Sequence, residues 1–179
     1  YRLTTIMPGI DISFHIEPLG IIFSLLASGL WILTHIYAIG YMRGAKEKNQ
    51  SRFFFFFSVS IASVMGISFS GNLFTLFLFY ELLTLITFPL VSHKGSSEAL
   101  RGARAYLSIL LGTSIGFQLL GIIWIYFSIG TLDFVKGGIL NGSFGSLELI
   151  ILVGLFAFGI GKAALFPFHR WLPAAMVAP

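Results

Sequence analysis

Two shortages set the first limits on this sequence: it has no cysteine, and only 10% of its residues are charged. The missing thiol excludes disulfides, thiolate metal sites, iron–sulfur ligation and a cysteine nucleophile. Soluble domains carry roughly 25% charged residues, so this chain lies well outside that class. With 56% hydrophobic residues and a mean hydropathy of +0.92, it cannot hide its apolar surface in a soluble fold of 179 residues. We therefore expect lipid to be its solvent.

The net charge of +4 does not indicate nucleic acid as a partner, because the basic residues cluster in short loops between apolar runs. No set of residues suggests a cofactor site. The chain begins at Tyr1 rather than Met, and no charged segment with a cleavage site follows. It also stops within an apolar segment. We expect residues 1–179 to be one partial membrane domain, an internal piece of a longer protein.

Continuous apolar runs predict the fold class. A bilayer core of ~30 Å needs about 20 apolar residues per helix, whereas barrel strands alternate apolar and polar positions. The runs here do not alternate. The sequence predicts an all-α, polytopic membrane helix bundle with about five transmembrane helices, the last broken near Pro167. The predicted spans are 19–40, 53–69, 73–91, 106–129 and 147–166.

The loops between these spans predict the orientation. Eight Lys and Arg residues lie on one side, in the loops after the first and third spans and just after the fifth. The other side holds only Arg2 and Lys136. Because basic loops stay inside, we expect the N-terminal end outside and the C-terminal end in the cytoplasm. The expected location is the inner or plasma membrane of a prokaryotic cell.

Two charged residues interrupt the apolar spans. Glu81 falls near the middle of the third span, and Lys162 lies in the fifth, shortly before Pro167. A charge at the centre of a membrane helix costs at least ~2.5–3.5 kcal/mol. Proline removes a backbone donor and breaks or kinks the helix, which membranes tolerate only where the break lines a cavity or the protein interior.

One hypothesis is that Glu81 and Lys162 form a proton or ion relay. Desolvation disfavours the charged form of the lysine, and a nearby carboxylate stabilises that form again. Joining the pair would therefore capture a proton, and separating it would release one. The alternative is a static buried salt bridge that only fixes the helix register.

Other polar residues are candidates for accessory roles. Thr84 lies one helical turn from Glu81 and is expected to share its face. His35 lies near the inner end of the first span, where it could relay protons or simply pack, and His169 follows the break. Further polar side chains could line a wet channel: Thr87, Thr113, Ser114 and Gln118.

Three strings carry a family resemblance: HIYAIGYM at 35–42, YELLT at 80–84 and GKAALFPFHRWLPAAM at 161–176. The sequence resembles the antiporter-like subunits shared by Mrp-type cation/proton antiporters, respiratory complex I and membrane-bound hydrogenases. The residues of the second string and those at the end of the third are most similar to the D-like branch of the Mrp group. Many relatives carry Asp where this chain has Ala174, which bears on the branch more than on the mechanism.

The resemblance implies a larger fold of roughly fourteen helices with two inverted repeats, each holding a broken helix. This chain would correspond to helices three to seven. In the family, a glutamate and a lysine on the fifth and seventh helices form the input pair of a proton half-channel, which maps onto Glu81 and Lys162. Residues that complete the path would lie beyond Pro179.

Three functions remain open from the sequence. The first is a proton-translocating subunit of a multisubunit antiporter exchanging Na⁺ or another monovalent cation for H⁺. The second is the same module in a redox-driven complex, either NADH–quinone oxidoreductase or a hydrogenase. The third is a membrane anchor that transports nothing. In the first two, the expected partners are other membrane subunits, the lipid bilayer, protons and Na⁺, and the chain itself catalyses no redox step.

Overall fold

A computed structural model of the chain describes residues 1–140 and 142–178 as a helical bundle with a small β-hairpin at one end. Three of the predicted spans form single helices, and the fourth passes through a π-helical segment between α4 and α5. In chain order the elements are β1 (Arg2–Met7), β2 (Ile10–Ser13), α1 (Pro18–Gly44), α2 (Gln50–Ser68), α3 (Leu73–Val91), α4 (Ser97–Thr113), the π-helix (Ser114–Leu119), α5 (Leu120–Ile129), α6 (Ser146–Gly159), two 3₁₀ turns (Gly161–Ala163 and Phe168–Arg170) and α7 (Trp171–Ala175).

The predicted membrane bundle is confirmed. Within the described part of the chain, four helical segments are long and apolar enough to cross a bilayer: α1, α2, α3 and the continuous stretch Ser97–Ile129. Helix α6 is apolar but has only 14 residues. At 1.5 Å per residue it extends roughly 21 Å, too short to cross the ~30 Å hydrocarbon core alone.

The fourth span begins nine residues earlier than predicted, at Ser97. The Ser96 hydroxyl caps this helix by accepting a hydrogen bond from the Ala99 amide at 3.1 Å. The first turns of α4 are amphipathic: Ala99 and Ala103 are fully buried, while the arginines of these turns are exposed. A search for continuous apolar residues therefore misses these turns, although their buried face is apolar.

The β-hairpin was not predicted from the sequence. Strands β1 and β2 pair antiparallel, and Asn72 at the start of α3 holds β2 against the bundle. The Asn72 side-chain nitrogen lies 2.8 Å from both the backbone and a carboxylate oxygen of Asp11, and 2.8 Å from the Ser13 hydroxyl. Its side-chain oxygen accepts from the Thr75 amide at 2.7 Å, which caps α3. Arg2 pairs with Asp11 at 2.7 Å. We call this the hairpin end of the bundle.

The opposite end, where α1 and α3 finish and α2 and α4 begin, carries most of the basic residues, and we call it the basic end. Two apolar cores hold the helices together. One lies towards the hairpin end and contains Phe77, Ile122, Ile125, Leu132 and Leu152. The other lies towards the basic end and contains Val91, Ala103, Tyr106 and Leu110, with Trp171 packed against them.

Candidate functional site

The fifth apolar segment stops being an α-helix at Gly159, eight residues before Pro167. Between residues 160 and 167 the backbone forms the short 3₁₀ turn Gly161–Ala163 and a second turn closed by the bond from the Phe168 amide to the Leu165 carbonyl. Lys162 therefore lies inside the interruption. The sequence predicts the break near Pro167, with Lys162 on the preceding helix. The earlier break coincides with glycines that bring the backbone close to the neighbouring helix.

The π-helical segment Ser114–Leu119 packs against α6, which ends where the interruption begins, and α4 packs against the interruption itself. A Cβ atom on Gly159 would lie 2.6 Å from the backbone nitrogen and the Cβ of Gln118, and a Cβ on Gly161 would collide with the Thr113 hydroxyl. Only glycine allows this approach. Single-turn π-helices occur frequently at functional sites because their backbone pairing is irregular.

The close approach at Gly159 gives a stability prediction. Gly159→Ala is expected to destabilise the protein by about 1–3 kcal/mol, because the added methyl meets backbone that cannot rotate away. The measurement is the unfolding temperature of the detergent-purified protein. Gly154→Ala is the matched control on the same helix. Apart from the adjoining residues and backbone of that helix, no atom of residues 1–140 or 142–178 lies within 4 Å of its Cβ position. Equal unfolding temperatures for the two variants would contradict the packing described here.

Lys162 reaches across to α3, where Tyr80 and Thr84 hold its ammonium group. Its Nζ donates to the Tyr80 carbonyl at 3.1 Å and to the Thr84 hydroxyl at 2.5 Å. The same Nζ lies 3.4 Å from the centre of the Tyr80 ring, a cation–π contact. The Lys162 amide also donates to the Tyr80 hydroxyl at 3.2 Å. Tyr80 therefore contacts both the backbone and the ammonium of Lys162.

Glu81 is next to Tyr80 in sequence, yet its carboxylate does not contact Lys162. Among the described residues, no Lys or Arg lies within 4.0 Å of this carboxylate, and both of its oxygens are buried without a hydrogen-bond partner. Ser114 lies beside it, but the Ser114 hydroxyl donates to the Leu110 carbonyl at 2.8 Å. A buried polar group with no partner is rare in folded proteins and calls for an explanation.

Further polar side chains surround this pair of charges. Thr113, Ser114 and Gln118 are buried on the π-helical stretch and the turn before it. Within the part of the chain that the structure describes, the Gln118 side-chain oxygen has no hydrogen-bond partner. On the basic side, the Trp171 indole donates to the Gly161 carbonyl at 2.8 Å. Tyr106 lies between Trp171 and Thr87, with ring centres 5.6 Å from Trp171 and its hydroxyl 2.5 Å from that of Thr87. The interruption is thus lined by buried polar groups from α3 and α4.

The structure brings three of the predicted site residues together and separates two others. Glu81, Thr84 and Lys162 lie in one region. His35 instead packs between α1 and α2, with its ring 4.8 Å from Trp31 and 4.9 Å from Phe54. His169 is exposed and stacks on Phe166 at 5.8 Å. Neither histidine has a described contact with Glu81 or Lys162. Within residues 1–140 and 142–178, no group of three His, Asp or Glu residues could hold a metal ion.

Tyr80 was missed from the sequence. It precedes Glu81 in an apolar helix, where an aromatic residue is expected to be core or lipid-facing. The only available signal was its position in the family-like YELLT string, which does not distinguish a packing residue from a cation-binding one.

Comparisons with known proteins identify the family of this chain. Residues 70–179 match the family described as NADH:quinone oxidoreductase/Mrp antiporter, TM. Residues 6–54 match the family described as NADH-Ubiquinone oxidoreductase (complex I), chain 5 N-terminus. These matches confirm the resemblance drawn from the sequence strings.

Curated relatives include the Na(+)/H(+) antiporter subunit A1 of Staphylococcus aureus strains JH9 and Newman. Each is 34% identical over 177 residues, which cover 96% of this chain and 21% of the relative. The chain therefore spans about a fifth of the length of the curated relatives it matches. These relatives are named subunit A1, whereas the sequence strings suggest the D-like branch.

A solved structure with a similar fold is the membrane-bound sulfane sulfur reductase, an archaeal respiratory membrane complex. The superposition has a TM-score of 0.61 with 28% sequence identity, and it covers 69% of this chain and 26% of that chain. Fold and sequence similarity therefore extend to a respiratory complex as well as to antiporters.

Proposed function

Because this chain belongs to the NADH:quinone oxidoreductase/Mrp antiporter transmembrane family, we propose that it carries protons through part of the membrane in a multisubunit Na⁺/H⁺ antiporter. The observation that carries the proposal is the separation of Glu81 from Lys162. The ammonium lies on Tyr80 and Thr84 of α3, and the carboxylate is buried nearby with no hydrogen-bond partner among the described residues. A static salt bridge would hold the two groups in contact, so the arrangement favours a relay over a purely structural pair.

In the proposed relay, Lys162 alternates between two positions. In one, its ammonium lies on the Tyr80 ring, the Tyr80 carbonyl and the Thr84 hydroxyl, as in this structure. In the other it moves to the Glu81 carboxylate. Isolated buried charges are costly, so ionised Glu81 attracts the ammonium, and a proton bound to Glu81 releases it. Proton uptake by Glu81 and movement of Lys162 are thereby coupled. The non-helical backbone around Lys162 supplies the freedom for that movement.

The orientation and extent of the domain are part of this proposal. The eight basic residues at the basic end and just after the interruption favour that end facing the cytoplasm, with the hairpin end outside, in a prokaryotic membrane. We assign residues 1–179 to one partial repeat of the larger subunit, corresponding to its helices three to seven. The rest of the proton path, the other membrane subunits and the Na⁺ pathway would then lie outside this chain.

A second candidate function is supported by the solved structure that this chain resembles. That structure belongs to a respiratory membrane complex. In such a complex, electron transfer elsewhere would drive the same Glu81–Lys162 relay. The chain's own residues would act identically, so the two candidates differ only in the driving reaction.

The test uses the intact protein in its native membrane vesicles with a pH-sensitive dye. A proton flux that follows an imposed Na⁺ gradient, with no electron donor present, supports the antiporter. Flux that requires NADH or another reductant and ignores Na⁺ supports the redox-driven alternative. Assembled protein that gives no flux under either condition would contradict both and leave the anchor function.

Tyr80 provides a prediction specific to the two-position relay. Tyr80→Leu removes the ring beneath the ammonium and is expected to reduce flux by about tenfold. A loss of that size corresponds to the free energy that a desolvated cation–π contact contributes. Tyr80→Phe keeps the ring and the backbone carbonyl and loses only the hydroxyl that accepts from the Lys162 amide, so most of the flux should remain. If Tyr80→Phe loses as much flux as Tyr80→Leu, the ring is not the feature that matters.

A further inference from the structure

The peptide bond between Gly161 and Lys162 is held on both sides by side chains from other elements. Its carbonyl, on Gly161, accepts from the Trp171 indole nitrogen at 2.8 Å, and its amide, on Lys162, donates to the Tyr80 hydroxyl at 3.2 Å. A trans peptide is planar, and its carbonyl and N–H point in opposite directions. The two bonds together therefore fix the orientation of the peptide that leads into Lys162.

Packing alone accounts for only part of this arrangement. A partly buried tryptophan usually finds an acceptor for its N–H, so one bond from the indole to a nearby carbonyl is ordinary. The Gly161 carbonyl, however, also accepts from the Ala164 amide at 3.1 Å, so it has a backbone partner without the indole. Packing does not explain why side chains from two separate elements bond the two ends of the one peptide that precedes Lys162.

Trp171 is fixed on α4 rather than on the interruption. Its ring meets that of Tyr106 edge-on, with 5.6 Å between the ring centres and 73° between the planes, and it packs against the core at the basic end. Helix α7 lies so close to α4 that a Cβ atom on Gly102 would collide with the Ala174 carbonyl oxygen. The indole thus connects the interruption to a helix that carries neither Glu81 nor Lys162.

We propose that Trp171 is a positioning residue for Lys162. Its indole and the Tyr80 hydroxyl form a clamp on the Gly161–Lys162 peptide, so that the backbone stays in place while the ammonium moves between Tyr80 and Glu81. No described contact joins Trp171 to the ammonium or to the carboxylate, and it acts only through this peptide. The role presupposes the Glu81–Lys162 relay proposed above.

The clamp also favours one position of the ammonium over the other. A fixed backbone keeps the ammonium within reach of the Tyr80 carbonyl and the Thr84 hydroxyl. When the peptide can rotate, these contacts weaken, and the position on ionised Glu81 is favoured by comparison. Proton uptake by Glu81 then needs a more acidic solution. Loss of the clamp should therefore move the pH of half-maximal flux downwards.

The experiment measures proton flux in native membrane vesicles for Trp171→Phe, Tyr80→Phe and the double variant, between about pH 6 and pH 9. Each single variant leaves the peptide held on one side, so each is expected to lose at most about threefold, which one hydrogen bond can account for. The double variant frees the peptide. It is expected to lose about thirtyfold or more, with half-maximal flux moved down by about one pH unit.

Other titratable groups do not complicate this comparison. Tyr106 on α4 and His169 beside Trp171 are the same in every variant, so a difference between pH profiles reports the relay. The matched control is Trp124→Phe, alone and with Tyr80→Phe, because Trp124 packs against the core at the hairpin end. Its effect should multiply with that of Tyr80→Phe and leave the pH profile unchanged.

A second form of the variant covers the case in which Trp171→Phe does not assemble. Benzothienylalanine incorporated at position 171 replaces the indole N–H with sulfur at nearly the same shape. It removes the bond to the Gly161 carbonyl and keeps the packing on Tyr106. The same flux, pH profile and combination with Tyr80→Phe are then measured.

Two results would overturn the clamp. A loss in the double variant no larger than the product of the two single losses would show that the two bonds act independently. An unchanged pH profile would reduce Trp171 to a structural residue, because flux lost through instability falls equally at every pH. Glu81→Gln in the same vesicles separates this role from the relay. Normal flux in Glu81→Gln removes both, whereas lost flux there with multiplicative losses in the clamp variants removes only the role of Trp171.

Discussion

Vesicles carrying the Glu81→Gln variant are expected to show proton flux reduced by about a hundredfold, the usual consequence of removing a proton-transferring group. Glutamine has nearly the same shape as glutamate, so the packing of α3 should survive, but it can neither take up a proton nor attract the Lys162 ammonium. Among the described residues, Ser114 is the polar neighbour of the carboxylate, and its hydroxyl already donates to the Leu110 carbonyl, so the substitution is expected to disturb little of the packing. A loss of flux would report the relay rather than a loss of structure.

The measurement is dye-detected proton uptake at matched protein levels, with Glu98→Gln as the control. Glu98 is exposed in the first turn of α4 and forms no described ion pair, so its neutralisation should leave flux unchanged. Normal flux in Glu81→Gln, in a complex that assembles fully, would be incompatible with a relay through this residue. The antiporter family assignment would then still stand, but the path would have to be sought elsewhere.

Lys162→Met is expected to cause a loss of similar size. Methionine fills much of the same space without a charge, so the groups on α3 that hold the ammonium, the Tyr80 carbonyl and the Thr84 hydroxyl, would have no cation to bind. If Glu81 and Lys162 act as one unit, the double variant should lose no more flux than either single variant, because the effects of coupled residues are not additive.

Flux in the single and double variants is compared with that of Lys136→Met, which removes an exposed lysine from the loop at the hairpin end. Multiplicative losses in the double variant would show that the two residues act independently. That result would contradict the two-position relay even if each residue proved essential.

Much of the bundle is accessible to reasoning from the sequence, because lipid imposes long apolar runs. Helices α2 and α3 begin and end within about three residues of the predicted limits. The hairpin could not be predicted from the sequence because its position depends on Asn72, some sixty residues away. Asn72 contacts Asp11 and Ser13, and no local sequence pattern indicates these contacts. The early break after Gly159 was not predicted for a similar reason. It coincides with the close approach of another helix, which the sequence does not show, whereas Pro167 is a helix-breaking residue that can be read from the sequence directly.

The candidate site was only partly predictable. Glu81 and Lys162 stand out because charges in apolar spans are expensive. Helical spacing related Thr84 to Glu81, whereas in the structure the Thr84 hydroxyl accepts from Lys162. No pattern in the sequence indicates that the ammonium lies on Tyr80 rather than on the carboxylate. For His35, residue type and depth left a relay role and a packing role equally open. Its aromatic neighbours on α2 become visible only when the helices are packed.

The π-helical segment also has a consequence for the chain's periodicity. A single π-turn accommodates one residue more than an α-turn, so the residues after it are rotated by about 100° relative to an uninterrupted helix. Buried positions before the segment follow one phase, through Ala103, Tyr106 and Leu110, and those after it, Ile122 and Ile125, follow that phase moved on by one residue. With this added residue, helix α5 turns Ile122 and Ile125 into the core that contains Leu152 of α6. A relative that lacked it would need a different set of core residues in α5 to close the same bundle.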